Sequence, residues 1–140
     1  MPRPRKNKMR NDKNFRRDND TRVYVIFDRD NIDFQKFQQM QSLAGKNGIY
    51  IGFSIMSFEV WLMAHYEELG TALKSQDTLE KRLSQHIGRK YNKTDITTLN
   101  KIAEKYEQAI HNSATIMNNN FDFDNQYTNI GEIISSLQKL

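Results

Sequence analysis

Cysteine is absent from this chain, which removes disulfides, thiolate nucleophiles and Cys-based zinc sites together and makes the cytoplasm the expected location. The two prolines, Pro2 and Pro4, both fall near the start, and the six glycines form no phosphate-cradling loop, which argues against nucleotide binding by a P-loop. No apolar run approaches the ~18 residues that a bilayer span needs, so no membrane association is expected. The basic N-terminus also lacks the apolar stretch of a secretory signal.

What remains is 140 residues, 37% hydrophobic and 27% charged, the length of one domain with room for a single sheet and its covering helices. The charge is unevenly placed. Residues 1–20 hold eight Lys or Arg against three Asp, while the other residues hold thirteen against fourteen acids. Residues 1–20 have almost no apolar content and read as a disordered basic tail, with 21–140 as the folded domain. Such a tail neutralises phosphates and raises nucleic-acid affinity in a salt-dependent way. A solubilising leader is the plainer use of the same composition.

The apolar run over 21–27 reads as a strand covered on both faces, hence central in a parallel sheet. Phe34, Phe37, Met40, Gln41 and Ala44 recur at spacings of three and four, which predicts an amphipathic helix over 31–47 ended near Gly45 and Gly48. Residues 49–53 form the next strand, and the helix between makes the unit a right-handed βαβ crossover. A helix over 57–69 carries Phe58, Trp61, Leu62, His65 and Leu69 on one stripe, with Ser57 as its cap and Gly70 as its stop. Further helices are expected over 78–87 and from Thr94 or Asp95 to residue 117. The long one has the stripe Ile96, Leu99, Ile102, Ala103, Tyr106, Ile110, Ser113 and Met117. A polar loop over 118–125 and a last helix over 128–140 complete an α/β chain with a helical C-terminal part.

Chemistry concentrates where the strands end, the place where ligands gather in such sheets. Asp28 and Asp30 are one residue apart, so both project to one side if the chain stays extended, and they suit a hard divalent cation such as Mg²⁺ or Mn²⁺. An Asx turn closing the strand uses the same residues without a metal. Glu59 lies in the first turn of the next helix, where the helix dipole favours an acid whatever it binds. Lys93, beside Tyr91 and near Arg89 and Lys90, is a cation able to meet a phosphate or to serve as part of a solvated connector. His65, His86 and His111 show no ligand spacing, and His65 reads as a core or pocket-edge residue held by a hydrogen bond. Ser54 and Ser57 lack the Gly-x-Ser-x-Gly setting of a serine nucleophile.

Five blocks occur in order: Phe27-Asp28-Arg29-Asp30-Asn31, Ser57-Phe-Glu59-Val-Trp61-Leu-Met-Ala-His65-Tyr, Tyr91-Asn-Lys93, Ala109-Ile-His-Asn-Ser-Ala and Tyr127-Thr-Asn-Ile-Gly-Glu-Ile-Ile. In these the chain resembles the RloB-like family, to which AbiLii-type abortive-infection proteins belong. The resemblance implies a Toprim-like α/β fold, a metal-dependent nuclease centre and a role in bacterial defence against phage, often beside a partner ATPase. It places the Toprim Asp-x-Asp pair on Asp28 and Asp30, the Phe-Glu motif on Phe58-Glu59 and the Tyr-x-Lys motif on Tyr91 and Lys93. Family members typically carry an earlier strand ending in a Glu-Gly motif, which has no counterpart upstream of Asp28. The expectation is therefore an incomplete sheet and a truncated member.

Three functions follow as alternatives. In the first, Asp28 and Asp30 hold Mg²⁺ for phosphodiester cleavage, with Glu59 as ligand or orienting base and Lys93 on flanking phosphates. The second is a non-catalytic subunit of the same defence system that binds nucleic acid or a partner. The third takes Phe-Asp-x-Asp as a phosphatase nucleophile motif, against which stand Asn31 after the second Asp and an Asn-rich setting for Asp122 and Asp124.

Overall fold

The computed structural model describes residues 21–118 and 121–139; the expected tail over 1–20 lies outside them. Three strands form one mixed sheet in the order β1 (Val23–Asp28), β2 (Ile49–Ile55), β3 (Tyr127–Thr128). β1 and β2 run parallel, with Val23 opposite Ile49 and Asp28 opposite Ser54. β3 pairs antiparallel to β2 at Ser54 and Ile55. The α/β class read from the sequence holds, but two strand expectations change. β1 is an edge strand rather than a central one, since nothing among the described residues pairs with its outer side, and Val25 and Ile26 remain exposed. The short β3 replaces the start of the last predicted helix. An unbroken apolar run marks a strand without saying how many neighbours it has.

The crossover helix α1 (Phe34–Lys46) starts at Asp33, whose carboxylate accepts from the Lys36 backbone N–H at 2.7 Å. It packs on β2 through Phe37, stacked 4.3 Å from Phe53. Successive strand residues face opposite sides, so Gly52 points the other way, toward α6 (Ile130–Leu137). A Cβ at Gly52 would lie 2.4 Å from Ile26 Cδ1 and 2.9 Å from Ile133 Cδ1, which explains glycine at this close approach. Asn129, just before α6, accepts from the Phe53 N–H at 2.8 Å and donates to the Ile51 carbonyl at 2.9 Å. A single side-chain amide thus continues the ladder where β3 stops.

The helical half holds the larger core. The helix α2 (Glu59–Ala64) is shorter than the 57–69 expected and is buried along its whole length. Beside it lie α3 (Gln76–Ile87), capped by Ser75 and closed by Gly88 at φ 87°, and α4 (Ile96–Ala103), capped by Asp95. The long helix expected to reach residue 117 is instead broken: α4 ends at Ala103 with Glu104 as its C-cap, and α5 (Tyr106–Asn118) begins after it. The break is a tightened turn, with the Lys105 N–H donating to the Ile102 carbonyl at 2.9 Å. As a result Ala109, Asn112 and Ile116 of α5 are buried outside the predicted stripe, Ser113 is buried on it, and Ile96 stays exposed. Val60, Trp61, Met63, Leu79, Leu83, Ile102, Ala109 and Ile130 make one continuous apolar cluster across these helices.

Candidate active site

The end of β1 meets the start of α2, and the two halves of the molecule contribute acids to one cavity of about 960 Å³. Asp28, Asp30, Glu59 and Lys93 all line it, joined by Gln76, Glu80, Lys90, Tyr91 and Asn92. The two aspartates reach the cavity by a route the sequence did not reveal. The strand ends at Asp28, and Asp30 sits in a turn at φ 44°, closed by the Ile32 N–H donating to the Arg29 carbonyl at 2.8 Å. A left-handed turn residue, which Asp tolerates better than most, replaces the extended geometry expected.

Asp28 is half-buried, and the Phe58 backbone N–H at the start of α2 favours its charged form. Burial first, then the negative charges of Glu59 and Asp30, push its pKa above the ordinary aspartate value, while the Phe58 amide and Lys93 pull less strongly the other way. Glu59 is buried and held by three side-chain donors. Its Oε1 accepts from Ser57 Oγ at 2.9 Å and Gln76 Nε2 at 3.0 Å, and its Oε2 accepts from the Tyr91 hydroxyl at 2.6 Å. Burial alone would raise its pKa, but the bonds from Tyr91, Gln76 and Ser57 prevail and hold it below the ordinary glutamate value. Tyr91 moves in the opposite sense, its hydroxyl driven up by burial and by the Glu59 anion it serves.

Ser57 therefore does not cap α2 as expected; it orients Glu59. Gln76 bridges Glu59 and Glu80, donating to Glu80 Oε2 at 2.9 Å. Gln76 and Glu80, one helical turn apart on α3, are cavity residues that sequence reasoning missed. Their i,i+4 spacing was a signal, but the face they occupy depends on how α3 packs. Lys90 and Lys93 face the cavity, while Arg89 turns away to Asp95 and Thr98. His65 lies outside the site as a core residue. Its Nδ1 is 2.9 Å from the Trp61 carbonyl, and burial lowers its pKa.

The donor set suits a hard cation. It offers only oxygen ligands, and the negative charges of Glu59 and Asp30, which add to burial in raising the Asp28 pKa, are what a divalent ion would offset. Among the described residues no three His, Cys, Asp or Glu side chains are grouped to hold a metal by themselves. Water and substrate oxygens would complete the shell, the usual arrangement for Mg²⁺.

Residues 5–137 match the sequence model of a family described as RloB-like protein. The chain belongs to the RloB-like family. Neither a curated protein nor a solved structure matches it. In this RloB-like chain the order of motifs along the sequence is also a convergence in space, since residues as far apart as Asp28 and Lys93 share one cavity wall. No helix among the described residues is long and apolar enough to cross a membrane.

Proposed function

We propose that this RloB-like chain is a metal-dependent nuclease with a Toprim-like centre, acting in the cytoplasm in an anti-phage defence system of the AbiLii abortive-infection type beside a partner ATPase. The observation that carries the reading is the meeting of Asp28, Asp30, Glu59 and Lys93 in one cavity with its acids crowded together. Asp28 and Asp30 would hold Mg²⁺ or Mn²⁺. When bound, the ion would polarise a phosphodiester and offset charge on its leaving oxygen. Lys93 and Lys90 meet the flanking phosphates of a DNA or RNA strand. Glu59 acts as an orienting group more than as a ligand. A carboxylate has about four lone-pair sites, and Ser57, Gln76 and Tyr91 occupy three.

The test is Mg²⁺-dependent cleavage of DNA and RNA by the wild type beside an Asp28→Ala, Asp30→Ala double variant. Products that require both aspartates support the reading; identical products from the two proteins remove it. The three donors already on Glu59 favour a second reading, a non-catalytic nucleic-acid or partner-binding subunit of the same system. Titration with Mg²⁺ separates them, because a nuclease centre takes up the ion saturably through Asp28 and Asp30 and a pure adaptor does not.

A further inference from the structure

The turn after β1 sends its side chains in two directions. Asp28 and Asp30 line the cavity, whereas Arg29 between them lays its guanidinium 4.5 Å from the ring centroid of Phe123. Phe123 is the hub of an aromatic cluster. Phe34 lies 5.5 Å from it, Phe37 5.5 Å, Phe53 6.0 Å and Phe121 6.4 Å, centroid to centroid. Phe37 and Phe53 are buried, as core rings should be, but Phe34 and Phe121 keep 47% and 40% of their surfaces exposed. Arg29 makes no ion pair among the described residues, and its buried Nε–H has no hydrogen-bond partner.

Partly exposed rings and a guanidinium that makes no ion pair among the described residues, all gathered on Phe123, offer stacking and positive charge together. The charge comes from the residue that separates the two candidate metal ligands, and the rings from Phe34 and Phe121, both in contact with Phe123. We infer that Phe34, Phe121 and Arg29 form a stacking subsite for an unpaired base of single-stranded nucleic acid, on the other side of the turn whose aspartates line the cavity. The inference rests on the nuclease reading and narrows its substrate. Unpaired bases present a free π-face to aromatic side chains and to arginine, whereas a duplex keeps its bases stacked inside.

The experiment measures anisotropy of a fluorescein-labelled oligothymidylate, its abasic counterpart and a duplex, with the whole chain in EDTA so that no cleavage occurs. The wild type should prefer the single strand to both others. A Phe34→Leu, Phe121→Leu variant, which keeps apolar volume but loses the π-faces, should bind the oligothymidylate roughly tenfold more weakly while its affinity for the abasic strand is unchanged. Equal loss on both strands, equal binding by wild type and variant, or a preference for duplex would each overturn the subsite. If the stacking signature is present but Mg²⁺-dependent cleavage is not, the nuclease reading fails while the subsite stands. Cleavage without the stacking signature removes the subsite alone.

Discussion

Val60, Met63, Leu79, Leu83 and Ile102 lose nearly all contact with solvent in the helical half, whereas Val23, Val25 and Ile26 on β1 keep 37%, 43% and 48% of their surfaces exposed. Apolar burial stabilises in proportion to the area removed from water, so the helices carry most of the stability and β1 little of it. The candidate site lies on the seam. Glu59 comes from the well-packed side, held by three donors, and Asp28 and Asp30 come from the looser side. One wall is buried in the core, and the other hangs on an exposed edge strand.

The sharpest test of this contrast compares truncations in urea unfolding. Leu79→Ala should cost about 2–5 kcal/mol, and Val25→Ala no more than about 0.5 kcal/mol. Comparable losses would erase the difference between the halves. Next in size is the effect of a ligand on the looser wall. With Mg²⁺ at a hundredfold excess over its Kd, the wild type should gain about 2.7 kcal/mol in thermal unfolding. The Asp28→Ala, Asp30→Ala variant should gain nothing.

On the buried wall, Glu59→Gln should cost about 1–3 kcal/mol at neutral pH, because an amide cannot accept at both ends from Ser57, Gln76 and Tyr91. The folded pKa of Glu59 is depressed, so its contribution is present above the ordinary value of 4.5 and is lost as pH falls through the lower folded value. The variant and wild type should therefore converge in stability as the solution is acidified below 4.5, and a constant gap would contradict the depressed pKa. The smallest effect has the opposite sign. Asp28 has a raised pKa, so its folded form holds the proton more tightly, and stability falls as pH rises from 3.8 through the folded value. Asp28→Asn should then stabilise the cation-free protein at neutral pH, by less than about 1 kcal/mol given the screening at a half-exposed position. A loss in melting temperature would count against the charge-crowding account.

Local pattern made part of this fold legible. Apolar runs marked β1 and β2, three-and-four spacing marked α1, and Asp95 could be named beside Thr94 as a cap because its chemistry is confined to neighbouring residues. β3 escaped because two residues are too few to show alternation. The break at Glu104 and Lys105 escaped because both flanking segments favour helix and only their different packing separates them. The exposure of β1 was hidden for a related reason, since neighbours distant in sequence decide it. At the site, Asp28, Asp30, Glu59 and Lys93 could be singled out from strand ends and motif order. The left-handed turn at Asp30, the inward face of Gln76 and Glu80, and the redirection of Ser57 onto Glu59 depend on tertiary contacts that no short window contains.

The amide of Asn129 has a consequence for how the protein is made. Its bond to the Phe53 N–H spans 76 residues of separation, and contacts so distant in sequence form late because a long loop must close first. During synthesis β2 emerges long before the residue that finishes its far border. The nascent chain must wait, with one side of its sheet unfinished, until Asn129 has left the ribosome.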